Sequence, residues 1–470
     1  MRTKNLILAI LFLLPIVLFG NDGTPKTLQG SWMGTISTKD FSLRVILKFT
    51  IKNGKIKGLL DSPDQGFKDL GLDKIWINKD SIFVDATKSL NAGIIFKGLI
   101  QPGDSVIDGV WGGELPLKLR PTQFVYMLKT NLNPEIKGYK ILNIVKTTPI
   151  KDQQITGTCW SYATTSFIET EAIRLGKNPV VLSPMFFVTP TYIDKAEKYI
   201  RMNGKSYFGE GDLTFSVLKA FKEFGAIPEN VYCGKIDTSE KHNHNEMNDS
   251  LLDKVKFYVN SGRGKMTTPS YRKDIDQILV RTMGKVPETF SYQQKNYTPK
   301  SFAKEMIGIN PDDYVEITSF SHHPFYSKFI LEIESNWNNN YYLNLPIEEF
   351  NKVIDNALLH NYSLCWDGDI YEGFSDGMAI LDDNKVITQQ IRQDAFDNQT
   401  TIDVHNMHIV GIAENDKGNK FYIIKNSADA KNCGGYLYMS KEFLLKKTIS
   451  VMVNKNAIPK EILGKIKIAL

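Results

Sequence analysis

The run Gln153-Gln154-Ile155-Thr156-Gly157-Thr158-Cys159-Trp160 constrains this chain most. A polar, glycine-containing loop enters a cysteine. From there the apolar residues Trp160, Ala163, Phe167, Ile168, Ala172 and Leu175 recur at steps that fit one face of a helix. Gly176 and Pro179 end the pattern, as a helix C-terminus requires. An amphipathic helix opening at Cys159 would set the thiol among unpaired N–H groups at the positive end of the helix dipole. That placement favours the thiolate, the nucleophilic form, and lowers the pKa. Helix position alone leaves a second reading open, a buried structural cysteine.

The complement to a nucleophilic cysteine is a base. Residues 404–413 read as a strand, with His405, Met407 and Ile409 on one face and Asn406, His408 and Val410 on the other. A turn at Asn415-Asp416-Lys417-Gly418 returns the chain along 421–426. A four-residue loop sets His405 opposite Ala428, with Asn426 a diagonal neighbour on the same face. An Asn amide there holds the imidazole in one orientation and tautomer.

These residues resemble the papain-like cysteine peptidases. The spacing of Gln153 to Cys159-Trp160 is similar to their nucleophile segment, and Gly157 to Ala163 is closest to the bleomycin hydrolase and aminopeptidase C branch. His405 with Gly411 six positions on fits the family's base strand, whereas His408 does not and reads as a structural or cleft-rim residue. Lys425-Asn426-Ser427 followed by Gly434-Gly435-Tyr436 resembles the segment that carries the orienting Asn. The gap from Cys159 to His405 exceeds the roughly 130–150 residues of simple papain relatives, and this fits the branch with a larger intervening region. Three positions depart from the pattern. Gln154 stands where the family has Gly, Thr156 where many relatives have a disulfide Cys, and Ala428-Asp429 where the family has Trp-Gly.

The resemblance implies a Cys-His-Asn peptidase. Cys159 attacks the scissile carbonyl, His405 exchanges the proton, and Asn426 orients His405. The Gln153 side chain and the Cys159 backbone N–H bind the oxyanion. It implies no cofactor and no metal, and a peptide or protein as partner. Aminopeptidase action is the narrower expectation. The alternatives are a non-catalytic binding protein on the same scaffold, and a Cys-His acyl-transfer enzyme of transglutaminase type.

The rest of the chain sets the context. Residues 1–20 combine a basic start with an apolar run of about fifteen residues. They read as a signal peptide, with an uncleaved anchor as the other reading, so a bacterial protein exported to the periplasm or outside the cell is expected, with no stable membrane insertion after cleavage. A net charge of +5 over 470 residues gives no footprint for nucleic acid. Four cysteines, Cys159, Cys233, Cys365 and Cys433, are too few for a disulfide framework.

Residues 27–128 alternate in short segments punctuated by Asn53-Gly54, Ser62-Pro63-Asp64 and Pro102-Gly103. They predict a small antiparallel β barrel or sandwich, and resemble lipocalin-like modules ahead of exported bacterial hydrolase domains. Trp32 and Trp111 read as core, or as the lining of a ligand cavity. Residues 135–470 then form the papain-like domain, α+β, with an insertion at about 240–350. The run 130–145 reads as a connector, 239–250 as a solvated loop, Gly209-Glu210-Gly211-Asp212 as a cleft-bordering or capping loop, and Cys365 as core.

Overall fold

The alternation of the N-terminal third becomes an antiparallel meander in the computed structural model of this chain. Described are residues 28–468, except 39–41, 53–54, 63–66, 88–94, 102–105, 123–137, 237–240, 262–267, 294, 376, 382–385 and 428–435. The expected signal peptide, Ala428, Asp429, Cys433 and the Gly434-Gly435 pair lie outside them. Two units divide at Tyr126 and Met127.

The first unit holds β1 (Gly30–Ser37), β2 (Ser42–Lys52), β3 (Lys55–Ser62), β4 (Phe67–Gly71), β5 (Lys74–Asn78), β6 (Ser81–Asp85), β7 (Ile95–Gln101), β8 (Val106–Trp111) and β9 (Leu115–Thr122). They form one sheet in the order β4-β3-β2-β1-β9-β8-β7-β6-β5. The sheet curls until β3 meets the region of β5: the Leu72 N–H donates to Gly58 O at 3.1 Å. Gly58 leaves room there for the tips of Ile75 and Leu72, which a Cβ would displace. Trp32 and Trp111 are both buried, so both are core. The Trp32 indole N–H is satisfied by Leu28 O at 2.9 Å.

The second unit begins with β10 (Tyr139–Ile144), then α1 (Cys159–Arg174), α2 (Pro184–Arg201), α3 (Thr214–Phe224), α4 (Asn245–Asn260) and α5 (Thr268–Met283). A short hairpin, β11 (Phe290–Tyr292) and β12 (Lys295–Tyr297), and α6 (Pro299–Phe302) lead to β13 (Tyr314–Thr318), β14 (Lys328–Ile330) and β15 (Tyr341–Asn344). Next come α7 (Ile347–Leu359), β16 (Leu364–Gly368), β17 (Phe374–Ser375), β18 (Met378–Ala379) and α8 (Gln389–Asp397). The unit ends with β19 (His405–Asn415), β20 (Lys420–Lys425), β21 (Tyr436–Ser440), α9 (Lys441–Lys447), β22 (Thr448–Asn454) and α10 (Lys460–Leu463). Among the described residues no helix is long and apolar enough to cross a membrane.

One mixed sheet organises this unit, in the order β14-β15-β13-β22-β16-β19-β20-β21-β18-β17, with β10 also on β19. The connector expectation for 130–145 is therefore corrected over 139–144, which form a strand beside β19. The region expected as an insertion contributes β13–β15 to the sheet itself. The two faces of the sheet differ in chemistry. Leu364, Trp366, Met407 and Ile409 share one apolar cluster with Phe350 and Ile354 of α7. The opposite face presents Glu316, Cys365, Asp367, Asn406 and His408, all buried, and its hydrogen bonds reach α1 and α3. The sheet thus meets α7 through hydrocarbon and the helical half that carries Cys159 through polar groups.

The helix expected to be amphipathic is buried nearly all round: each residue from Cys159 to Ala172 is inside. The reason is its position between α2, α3 and the sheet. Many of its polar side chains are bonded inside the protein, although the Thr165 hydroxyl has no partner among the described residues. The Ser161 hydroxyl donates to Pro184 O at 2.7 Å, and Arg174 Nε and Nη2 hold both Glu171 carboxylate oxygens. Gly176 follows the helix with φ +81°, as a C-terminal glycine should.

Candidate active site

Cys159 is the first residue of α1, after Thr158, whose side chain does not cap the helix. The loop before it is held from three sides. The Gly157 N–H donates to Glu210 Oε2, and the Trp160 indole donates to Glu210 O at 2.9 Å. A Cβ on Gly157 would lie 2.7 Å from Glu210 Cβ, so the approach requires glycine. Buried Lys195 fixes that clamp from beneath, through Gly209 O and Gly211 O and an ion pair with Asp212 at 3.0 Å. The Gly209–Asp212 loop therefore borders the Cys159 segment.

The third side corrects the reading of 239–250 as a solvated loop. Ile155 bridges to Asn243, with its N–H on His242 O at 3.1 Å and its carbonyl accepting from the His244 N–H at 3.2 Å. The Gln154 carboxamide oxygen accepts from the His242 N–H, and Gln154 adopts φ +57°, the left-handed region that suits glycine. His242 and His244 are buried. Burial pushes His242 down to about 4 and His244 down to about 3, so both are neutral.

On the other side of the site, the His405 imidazole and the Asn426 carboxamide meet: Nε2 lies 2.8 Å from Oδ1. An amide oxygen only accepts, so Nε2 carries the proton and Nδ1 presents a lone pair. The register that brings them together differs from the expected one in two compensating ways. The turn is one residue longer, since Glu414 pairs Lys420, and a bulge at Val410 removes the offset, since His408 pairs Lys425. Asn426 follows the last residue of β20. Gln153 is tied to the next residue. Its N–H donates to Ser427 O at 3.0 Å, and its Oε1 accepts from the Ser427 hydroxyl at 2.5 Å. Its Nε2 donates to Thr156 O at 2.7 Å, which leaves one amide hydrogen uncommitted.

Cys159 Sγ faces Asn406 Oδ1 at 3.9 Å, one residue past His405. Among the described residues no hydrogen bond joins Sγ to the His405 ring. His405, at the start of β19, is only partly buried, whereas Asn406 is enclosed. Burial pushes the Cys159 thiol up to about 12, the Asp403 and Asp367 carboxylates add to that, and the backbone N–H groups of Asn406 and Trp160 oppose it. This direction is opposite to the one expected from helix position, because desolvation outweighs the dipole. Burial also lowers His405, and its bond to Asn426 partly restores it.

His408 packs beneath α1, with Nδ1 2.9 Å from the Ser166 hydroxyl. It is fully buried, a structural residue on the Asn406 face. Lys425 sits beside it, donating to Thr148 O at 2.8 Å and to Ser166 Oγ at 2.7 Å. Cys365 is buried against Thr164, and Cys233 is a free, partly buried thiol.

Sequence reasoning gave no role to Asp367, Asp403, Lys195 and Asn406. Of these only Asn406 had a local signal, its alternation onto the face opposite His405. Asp367 is the cross-strand partner of Asn406. Burial and the neighbouring Asp403 hold its carboxyl well above the usual carboxylate range.

One group of metal-type donors occurs among the described residues, His322, His323 and Glu332, within 4.8 Å of one another. The Ser321 N–H fixes Gln393 Oε1, so Gln393 Nε2 faces His322 Nδ1 at 3.0 Å. His322 then carries its proton on Nε2, directed at Glu332 at 3.2 Å, and His323 Nε2 lies 2.6 Å from the same carboxylate. Both rings turn a nitrogen to the Glu332 carboxylate.

A sequence model of the Peptidase C1-like family matches residues 209–469, more than half of the chain. The match spans His405 and Asn426 and begins after Cys159. Mouse (Mus musculus) bleomycin hydrolase is 20% identical over 379 residues, covering 67% of this chain and 82% of that protein. Aminopeptidase C of Streptococcus thermophilus is 20% identical, covering 54% of this chain and 64% of its own. The crystal structure of PepW from Lactobacillus rhamnosis superposes with a TM-score of 0.56 at 18% identity, covering 70% of this chain and 84% of that one. This chain belongs to the Peptidase C1-like family, as a papain-like cysteine peptidase of the bleomycin hydrolase and aminopeptidase C branch.

Proposed function

We propose that this protein hydrolyses peptide bonds through Cys159, His405 and Asn426, acts as an aminopeptidase, and is exported. The observation that carries the reading is the 2.8 Å bond from His405 Nε2 to Asn426 Oδ1. It fixes the tautomer and leaves Nδ1 as the basic nitrogen, one residue from the amide that touches the sulfur. Nδ1 takes the thiol proton as the sulfur attacks the carbonyl, and returns it to the leaving amine. The Cys159 N–H and the uncommitted Gln153 amide hydrogen receive the developing oxyanion. The names of two relatives, Aminopeptidase C and Aminopeptidase W, support cleavage from the N-terminus. Export rests on the character of residues 1–20.

The test is digestion of a peptide library with free and acetylated N-termini, read by mass spectrometry. The wild type releases N-terminal residues from free peptides only, and Cys159→Ala, folded by circular dichroism, releases none. Equal cleavage of acetylated peptides refutes the aminopeptidase reading. Persistent hydrolysis by Cys159→Ala refutes the nucleophile.

A further inference from the structure

An acid stands two residues ahead of the base. Asp403 is partly buried, and its Oδ2 accepts from the Ser335 hydroxyl. The side chain beside it is another acid, Asp367. Asp367 is 1% exposed, and among the described residues neither of its oxygens is hydrogen-bonded. It pairs across β16 and β19 with Asn406, whose Oδ1 lies 3.9 Å from Cys159 Sγ. Two neighbouring carboxyls taken out of water call for a cation. Lys195, the cation whose charge reaches Asp403, is already spent. An ammonium has three donors, and those of Lys195 go to Gly209 O at 3.0 Å, Gly211 O at 2.5 Å and Asp212 Oδ2 at 3.0 Å. Tyr207 lies over the same loop. A Cβ on Gly209 would meet its hydroxyl oxygen at 2.8 Å, and one on Gly211 at 3.1 Å. The charges of both Asp403 and Cys159 act on that hydroxyl, so the three side chains converge.

We propose that Asp403 is a specificity-determining residue that receives the α-ammonium of the substrate, with the Tyr207 ring as the wall behind it. The chemistry sets the distance. The amino nitrogen of a first residue lies two bonds, about 2.5 Å, from the carbonyl carbon that the sulfur attacks. Its counter-charge must therefore stand beside the nucleophile and the base. A charge-assisted bond from the ammonium to Asp403 supplies the cation that Asp403 and Asp367 lack. An acetylated terminus carries no charge and adds bulk on the side that Tyr207 closes. The inference rests on the aminopeptidase reading and names the groups that enforce it.

The experiment compares kcat/KM for one peptide with a free and with an acetylated N-terminus, in the wild type, Asp403→Asn and Tyr207→Ala. Alkylation of Cys159 by iodoacetamide, a neutral reagent, is followed in parallel and must persist in both variants, which shows the nucleophile intact. In Asp403→Asn, kcat/KM for the free peptide falls by about tenfold to a hundredfold, and the free-to-acetylated ratio falls with it. In Tyr207→Ala the acetylated peptide becomes a substrate. Should Asp403→Asn fail to fold, Tyr207→Ala decides. A wild type that cleaves both peptides alike removes the aminopeptidase reading, and this proposal with it. A selective wild type whose ratio is unchanged in the folded variants overturns the proposal alone.

Discussion

Gln153 is a residue whose partners set its job. Its amide oxygen and backbone N–H are spent on Ser427, and one Nε2 hydrogen on Thr156 O. On the proposed mechanism, Gln153→Ala therefore removes an oxyanion donor together with a tie to the Asn426 segment. Loss of one such donor lowers kcat by about 10²–10³, and a kcat within threefold of wild type would deny Gln153 that role. His405 gives a second test. Its pKa is lowered by burial and raised by Asn426, so Asn426→Ala moves the acid limb of kcat/KM to lower pH while reducing its height. A limb that moves upward contradicts the bond as the restoring cause. The meeting of His405 with Asn426 was legible because each lies in a short run whose pattern is local. The state of the thiol was not, because Asp367, Asp403 and Asn406 build its surroundings from chain far downstream.

Among the elements, β19 and its hairpin show how a register can be read correctly from a wrong turn. One extra turn residue and the bulge at Val410 offset each other, and a bulge leaves no mark in an alternating apolar run. The segment around His242 was read from its polarity, and polarity does not reveal that its backbone pairs with Ile155. That segment carries a pH signature. The unfolded histidines take protons below their ordinary value of 6.5, whereas the folded ones resist until about 4 and about 3. Below pH 6.5 the unfolded state binds more protons, so this contribution to stability is present above 6.5 and is lost as pH falls through that window. Among the described residues neither ring nitrogen of His244 has a partner. His244→Leu keeps the backbone bond to Ile155, raises stability at pH 7 by about 1–2 kcal/mol, and flattens the acid dependence of the urea midpoint. A less stable variant with an unchanged slope would contradict the account.

At the scale of the whole molecule, Gln153, Cys159, His405 and Asn426 all belong to the unit Met127–Leu470. A chain lacking the first unit should therefore keep kcat within a few-fold, and a chain that folds without hydrolysing would show that the proposed machinery is incomplete. The β unit was legible in outline because period-two alternation and tight turns are local. The second unit was legible as a family rather than as a topology. Its sheet joins β13, β16, β19 and β22, strands separated by long stretches of chain, and such pairings leave no local signal in the sequence. The most direct test of the central claim is mass-spectrometric mapping of a thiol-directed epoxide on the intact protein, with hydrolysis followed alongside. The account predicts one adduct, on Cys159, forming in step with the loss of hydrolysis. Labelling confined to Cys233, or hydrolysis that persists once Cys159 is fully labelled, would contradict it.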